Sequence, residues 1–276
     1  MLEDDHVTDM LGIVRRETGI DFLLYRRPTV LRRIQNRMVS LRIGSTGDYL
    51  ARLRSDPTEP AGLAERITIK VSRFYRNAAA FDLLRRDVLP GLARRRTGQP
   101  LRIWSAGCGC GEEAYTLAML LEDLGLEGTV DGTDVDVSAL AAAQAATYGA
   151  SALVELPEGW AARFTDVSTA ASAAAHTVRE SVRSRVRFFR HDLTSGRRPH
   201  ADTPYDLVAC RNVLIYFQPG AQQDAFATLV GSLRQGGALC LGEAEWPPAA
   251  VAAMLHPLSQ RHRIFRLGTP GKEPEP

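Results

Sequence analysis

A glycine-rich turn constrains the fold of this chain more than any other feature of its sequence. The apolar run 101–105 (LRIWS) leads into Gly107, Gly109 and Gly111, and a helical pattern follows over 112–124. Because glycine has no Cβ, such a turn can be tight and its backbone can approach a ligand closely. A strand, a glycine turn and a helix in this order favour a parallel α/β sheet with a ligand site at the turn, although a purely structural turn has the same pattern.

The first residues of the following helix favour a cationic or zwitterionic ligand. Glu112 and Glu113 are both acidic, so the pair would repel the diphosphate of NAD or ATP. The glycine spacing also differs from the G-x-G-x-x-G pattern of pyrophosphate sites. A sulfonium or amino-acid-like cofactor therefore suits this turn better than a dinucleotide.

An aspartate after the next predicted strand is the second feature that points to a ligand. The strand 129–133 is followed by Asp134, 23 residues beyond Gly111. In nucleoside-binding α/β folds, an acidic residue about 20 residues beyond the glycine turn accepts the ribose hydroxyls. A nucleoside cofactor without phosphates satisfies both features, and S-adenosylmethionine is the cofactor they favour. Taken alone, Asp134 is also compatible with a turn or a helix cap, which its spacing from the glycine turn disfavours.

A third feature follows the apolar run 205–210 (YDLVAC), which predicts a buried strand. Arg211 and Asn212 come directly after it, and Tyr216 lies shortly beyond. Ligands of open α/β sheets bind outside the carboxyl ends of the strands, and an arginine presents a fork of donors that suits a carboxylate. The alternative is a packed aromatic side chain beside a surface arginine.

The patterns divide the chain into a helical part and an α/β part. Residues 1–90 predict an all-helical domain, in which Leu31, Ile34 and Met38 share one face of a helix. Residues 91–100 (GLARRRTGQP) predict a linker, because they are polar and basic, begin with a glycine and end with a proline.

The α/β part covers residues 101–267 and carries an insertion over about 164–190. Within the insertion, the β-rich runs 176–180 and 185–190 predict an antiparallel hairpin. The polar tail 268–276 predicts disorder.

The composition is that of a globular protein. Of the 276 residues, 45% are hydrophobic and 24% are charged, which excludes a wholly disordered or collagen-like chain. No stretch of about 18 uncharged apolar residues could span a membrane, and the acidic N-terminus lacks the apolar core of a signal peptide, so we expect a cytoplasmic location. The four cysteines are too scattered for a disulfide framework and lack companion metal ligands, so we expect no metal.

The net charge of +2 hides an asymmetry between the two parts. Residues 1–100 hold 19 Lys and Arg against 12 Asp and Glu, whereas residues 101–276 hold 15 against 20. This asymmetry indicates an anionic partner for the N-terminal part, unless its basic residues only form a solvated face. Arg32, Arg33 and Arg37 lie outside the apolar stripe and are the candidate contacts.

Four segments in this order resemble the CheR family of chemotaxis receptor methyltransferases. They are 68–77 (TIKVSRFYRN), 102–120 (RIWSAGCGCGEEAYTLAML), 131–140 (DGTDVDVSAL) and 209–217 (ACRNVLIYF). The resemblance covers nearly the whole chain. It implies a Rossmann-like S-adenosylmethionine-dependent methyltransferase domain with a small antiparallel β-insertion, preceded by a small all-helical N-terminal domain.

The resemblance also implies a set of site residues. Those that correspond to family positions at the cofactor are Lys70, Ser72, Arg76, Gly107, Gly109, Glu112, Glu113, Asp134, Asp192, Leu193, Arg211 and Asn212. Arg211, Tyr216 and Arg76 correspond to the catalytic positions. The sequence departs from the family at Lys70, where the family has a neutral amide, and at Asp192, where it has an asparagine.

Family membership would make the reaction a methyl transfer from S-adenosylmethionine to glutamate side chains of chemoreceptors. The Glu-rich helices of such receptors would complement the basic N-terminal part, and the chain would act as a monomer without nucleic acid or membrane insertion. Two alternatives remain at this point. One is a methyltransferase that acts on RNA or a small molecule, and the other is a non-catalytic cofactor-binding signalling module.

Overall fold

The computed structural model describes residues 4–68, 72–168, 175–200 and 203–268. The chain forms two compact units, of which one comprises residues 1–69 with 216–223 and the other residues 70–215 with 224–276. The units divide at residue 69 rather than near residue 90, because the helices that follow residue 77 share the apolar core of the second unit. The predicted tail from residue 269 onward lies outside the described residues.

The first unit is built on helices whose apolar faces meet. They are α1 (Asp4–Thr18), α2 (Arg27–Ser40), α3 (Thr46–Ser55) and α4 (Glu59–Ile67). Pro28 lies in the first turn of α2, where its missing N–H has no helical partner to lose. The predicted stripe is confirmed at Ile34 and Met38, which are buried, whereas Leu31 is only half-buried and Val30 takes its place in the core.

A later segment of the chain completes this unit. Tyr25 and Phe217 form an isolated antiparallel β-bridge, and their rings meet edge to face with centroids 5.0 Å apart. The backbone N–H of Arg26 donates to the carbonyl of Tyr216 over 2.8 Å. Tyr216 therefore belongs to the first unit, although it follows the strand 205–210 in sequence.

The elements that follow residue 77 comprise helices, a π-helical turn over Leu84–Val88 and the strands of two sheets. The helices are α5 (Ala78–Leu83), α6 (Leu89–Arg96), α7 (Glu112–Asp123), α8 (Val137–Ala145), α9 (Trp160–Phe164), α10 (Glu180–Arg183), α11 (Pro219–Gly231) and α12 (Ala249–Ala252). The strands are β1 (Leu101–Ala106), β2 (Gly128–Asp134), β3 (Thr147–Gly149), β4 (Thr165–Ser168), β5 (Ala175–Val178), β6 (Val186–Arg190), β7 (Tyr205–Cys210), β8 (Leu233–Leu241), β9 (Leu255–Ser259) and β10 (Ile264–Leu267).

The main sheet has the order β6-β2-β1-β7-β8-β10-β9. The first five of these strands run parallel to one another, and β10 and β9 are antiparallel additions. The α/β fold with a small antiparallel β-insertion is thus confirmed, and the insertion is the sheet β3-β5-β4. The helix α7 is buried along nearly its whole length, since it follows the glycine turn and lies against the sheet.

Two predicted features of this unit are wrong. The runs 176–180 and 185–190 do not form a hairpin, because β5 pairs with β3 and β4 while β6 pairs in parallel with β2. Phe188 explains why β6 pairs with β2. A Cβ at Gly132 of β2 would lie 2.6 Å from the ring of Phe188, so the glycine leaves the space that this ring occupies. The proposed linker is helical up to Arg96, because Leu89 and Leu92 are buried in the core.

None of the helices in the described residues is both long and apolar enough to cross a membrane.

Candidate cofactor and acceptor site

The three features found in the sequence meet at one edge of the main sheet. The strands β2, β1 and β7 are adjacent and parallel, so their carboxyl ends lie side by side. Asp134 ends β2, the glycine turn follows β1, and Arg211 follows β7. This edge is where open α/β sheets bind ligands.

The glycine turn adopts a backbone that other residues rarely adopt. Gly107, Gly109 and Gly111 have φ values of +74°, +55° and +95°. A Cβ on Gly107 would lie 2.5 Å from Cγ2 of Val213, whereas a Cβ on Gly109 would meet nothing within 4 Å. One side of the turn is therefore covered by the loop after β7, and the side at Gly109 is open.

Asp134 connects the end of β2 to the glycine turn. Its Oδ2 accepts the backbone N–H of Gly109 over 2.9 Å, and its Oδ1 accepts the N–H of Asp136 over 2.9 Å. Burial raises the pKa of Asp134, although these backbone hydrogen bonds partly oppose the shift. A desolvated carboxylate with free lone pairs at this position can accept ribose hydroxyls.

The two glutamates at the start of α7 have different surroundings. Glu113 Oε1 accepts the Ser105 hydroxyl over 2.8 Å, and its Oε2 lies 3.7 Å from the guanidinium of Arg211. Glu112 is buried, and no described residue hydrogen-bonds to its Oε2. Burial raises the pKa of both carboxyl groups, and the charge of Arg211 partly opposes the shift at Glu113.

Arg211 is held inside the site. Its side chain is 4% exposed, its Nη2 donates to the carbonyl of Arg76 over 2.8 Å and to Oδ1 of Asn77 over 3.0 Å, and its Cζ lies 4.8 Å from the centre of the Phe81 ring. Asn77 in turn donates to Glu243 over 3.2 Å. The guanidinium thus joins the segment before α5 to the edge of β7.

The remaining residues that the resemblance implied lie in several places. Asp192 caps the 3₁₀ turn that begins at the buried Leu193, since its Oδ1 accepts both the N–H and the hydroxyl of Thr194. This turn follows β6, which is the neighbour of β2 at the same edge of the sheet. Ser72 is half-buried. Lys70 lies outside the described residues, and Tyr216 belongs to the first unit.

One of the three candidate partner contacts is engaged within the protein. Arg37 donates from Nε and Nη2 to the two carboxylate oxygens of Glu59 over 2.8 and 2.7 Å. Glu59 is 2% exposed and also accepts the hydroxyl of Tyr49. The expectation that Arg37 faces a partner is therefore wrong, whereas Arg32 is exposed and Arg33 is half-exposed.

Sequence reasoning missed two residues of this site, Asn77 as a ligand of Arg211 and Glu245 as an acceptor for the loop after β7. Glu245 is buried and accepts the backbone N–H groups of Asn212, Val213 and Leu214. The sequence carries no local signal for Glu245, because its carboxylate contacts backbone groups that lie 31 to 33 residues earlier in the chain.

The residues present fit the chemistry of S-adenosylmethionine. Its ammonium group requires an anion, and Glu113 Oε2 accepts no hydrogen bond from a described residue. Its ribose requires an acceptor, and the carboxylate of Asp134 has the chemistry for that role, while the open side of the turn at Gly109 permits a close approach. A phosphate would require a basic residue at the site, and in the described part of the chain no basic residue lies within salt-bridge distance of Glu112 or Asp134.

Comparison with known proteins gives family matches to both parts of the chain. Residues 7–68 match the CheR methyltransferase all-alpha domain, and residues 70–262 match the CheR methyltransferase SAM binding domain. These matches confirm the resemblance and the predicted cofactor. The boundary between the two matches coincides with the division of the compact units at residue 69, although residues 216–223 of the first unit lie within the second match.

Curated relatives differ in length from this chain. A chemotaxis protein methyltransferase of Listeria monocytogenes is 34% identical over 246 residues, which cover 88% of this chain and 90% of that protein. A probable biofilm formation methyltransferase WspC of Pseudomonas putida is 33% identical over 84% of this chain and 54% of that protein. An uncharacterized 104.1 kDa protein of Rhodobacter capsulatus is 37% identical over 92% of this chain, which spans only 27% of that protein.

Proposed function

Because the chain belongs to the CheR methyltransferase family, we propose that it transfers the methyl group of S-adenosylmethionine to glutamate side chains of chemoreceptors. The observation that supports this most strongly is the convergence of Glu113, Asp134 and Arg211 at the carboxyl ends of three adjacent parallel strands. The relatives named as chemotaxis methyltransferases support the choice of acceptor.

Binding of the cofactor would depend on the two carboxylates. Glu113 would hold the ammonium group, and Asp134 would accept the ribose hydroxyls. The bound cofactor supplies an activated methyl group on a sulfonium. A cation in this position compensates the desolvation that raises the pKa of both acids in the free protein.

The reaction would need no general base. A glutamate acceptor is ionised at neutral pH, since its ordinary pKa is about 4.3, so its oxygen could attack the methyl directly as the methyl–sulfur bond breaks and S-adenosylhomocysteine leaves with the electron pair. The protein would contribute orientation and exclusion of water, of which orientation alone can supply roughly 7–11 kcal/mol in the best intramolecular systems.

Arg211 would act from inside the site. Its guanidinium fixes Arg76 and Asn77 by hydrogen bonds and neutralises part of the charge of Glu113. With 4% of its side chain exposed, it has little surface left for an acceptor, so we assign direct contact with the acceptor carboxylate to Arg76. Arg211 would then orient the acceptor through Arg76.

The partner would be the Glu-rich cytoplasmic helices of methyl-accepting receptors. Arg32 and Arg33 on α2 are the proposed contacts, because Arg37 is committed to Glu59. Exposed basic side chains of this kind raise the association rate more than the affinity, and salt screens their effect.

The test is methyl transfer from labelled S-adenosylmethionine to receptor-containing membranes, followed by mild alkali. We expect label that alkali releases as methanol, and we expect Glu113→Gln to abolish it while Glu127→Gln, an exposed acid at the other end of the sheet, leaves it unchanged. Label that resists alkali, or that enters RNA or a small molecule, would refute the proposal. Cofactor binding without any transfer would identify a signalling module instead.

A further inference from the structure

Glu245 is a buried carboxylate that accepts hydrogen bonds from four backbone N–H groups. It is 3% exposed. Its Oε2 accepts the N–H groups of Gly242 and Asn212 over 2.7 and 3.0 Å, and its Oε1 accepts those of Val213 and Leu214 over 2.9 and 2.8 Å. No cation of the described chain lies within salt-bridge distance of it. Hydrogen bonds from four amides therefore compensate its charge.

This arrangement fixes the backbone after β7. Three consecutive N–H groups, from Asn212 to Leu214, converge on one carboxylate, and Asn212 adopts the left-handed conformation with φ +62°. An asparagine tolerates that conformation but does not impose it. The carboxylate of Glu245 provides the interaction that does.

The turn after β8 is built for the same contact. A Cβ on Gly242 would lie 2.7 Å from Oε2 of Glu245 and 2.8 Å from the backbone nitrogen of Asn212. Only glycine allows the two loops to approach this closely. The sequences of both loops are thus adapted to the position of one side chain.

The loop that Glu245 holds touches both halves of the proposed site. Arg211 precedes the three amides, and its guanidinium reaches Arg76, Asn77 and Glu113. Val213 lies against Gly107 of the glycine turn. A shift of this loop would therefore move Arg211 and uncover the turn.

We propose that Glu245 is a positioning residue, whose carboxylate sets the backbone of residues 212–214 and thereby places the guanidinium of Arg211 against Arg76 and Glu113. This inference rests on the proposed function, because the role of Arg211 in methyl transfer is defined there. Glu245 itself touches neither cofactor nor acceptor in this account.

The test compares Glu245→Gln with Asp206→Asn. The amide would direct an NH₂ group at N–H donors, so the side chain at this position would lose two of the four hydrogen bonds that it accepts. Asp206 is an equally buried acid at the start of β7, the strand that precedes the loop 212–214, and Arg96 and Arg234 pair with it. We expect both variants to lose stability, but only Glu245→Gln to lower kcat, by about tenfold to a hundredfold.

A double-mutant cycle with Arg211→Ala shows whether Glu245 acts through Arg211. We expect Glu245→Gln to lower kcat by less than about threefold in the Arg211→Ala background, because the group it positions is already absent. An undiminished effect in that background, or an equal loss of kcat in Asp206→Asn, would overturn the proposal. If Glu245→Gln does not fold, Glu245→Asp keeps the charge and tests the same cycle.

A readout without acceptor separates this inference from the proposed function. In the wild-type protein Nη2 of Arg211 donates two hydrogen bonds, so the ¹H–¹⁵N resonances of Nη2 should be protected from exchange with water. We expect Glu245→Gln to abolish that protection and Asp206→Asn to preserve it. Preserved protection in Glu245→Gln would overturn the inference even if receptor methylation is confirmed, and lost protection would support it even if the acceptor is not glutamate.

Discussion

The contact between Gly107 and Val213 predicts how strongly the glycine turn resists substitution. Gly107→Ala would place a Cβ 2.5 Å from Cγ2, 3.1 Å from Cγ1 and 3.3 Å from Cβ of Val213. Rotation of the valine side chain does not relieve this clash, because all three carbon atoms lie close and a β-branched side chain has few rotamers. The loop after β7 must therefore move.

The expected cost has two parts, and Gly109→Ala separates them. Both glycines have positive φ, so alanine at either position loses about 1–2 kcal/mol for the left-handed backbone. Only Gly107→Ala adds overpacking, which costs about 1–3 kcal/mol. We expect Gly109→Ala to lower the free energy of unfolding by about 1–2 kcal/mol and Gly107→Ala by about 2–5 kcal/mol.

The assay is urea unfolding of both variants and of Gly107→Ala in a Val213→Ala background, with affinity for S-adenosylhomocysteine measured on each. Removing the valine methyl groups should reduce the cost of Gly107→Ala to that of Gly109→Ala. Equal costs for the two glycine variants in the native background would refute the reasoning, since the loop after β7 would then not cover the turn.

Two further predictions concern charge. Because burial raises the pKa of Glu113 and Asp134, and a cationic cofactor binds their ionised forms, calorimetry should show full affinity above the raised pKa values and a loss as pH falls through them. The loss of cofactor affinity should begin at a higher pH than it would for exposed carboxyl groups. Glu113→Gln should remove the part of this pH dependence that comes from Glu113. Arg37→Ala should destabilise the protein by about 3 kcal/mol in urea unfolding, because the buried carboxylate of Glu59 loses its bidentate partner and keeps the hydroxyl of Tyr49 and the more distant Arg52, at 3.8 Å. Arg32→Ala should leave stability unchanged and slow receptor methylation at low salt, and equal stability losses in the two arginine variants would contradict the assignment.

The sequence predicts the centre of this fold because its signals are local. The glycine turn, Asp134 and the residues after 205–210 each follow an apolar run, and parallel strands bring their ends to one edge. The stripe with Ile34 and Met38 likewise predicts a helix face that the structure buries.

The features that the sequence does not predict depend on contacts between distant residues. The composition of 186–190 predicts a strand but not the sheet to which it belongs. It joins the main sheet beside β2, because Gly132 leaves space for the ring of Phe188. Arg37 has the spacing of a solvent-facing residue, but Glu59 lies within its reach. The local sequence around Glu245 does not distinguish it from a surface acid, because the loop that its carboxylate contacts is distant in the chain.

The most direct test of the central claim is to locate the transferred methyl group by tandem mass spectrometry of the receptor after reaction with S-adenosylmethionine. We predict a methyl ester on glutamate side chains of the cytoplasmic helices, absent when Glu113→Gln replaces the native protein and present with Glu127→Gln. A methyl group on a lysine, arginine or other nitrogen atom, or an unmodified receptor beside a protein that binds the cofactor, would contradict the account.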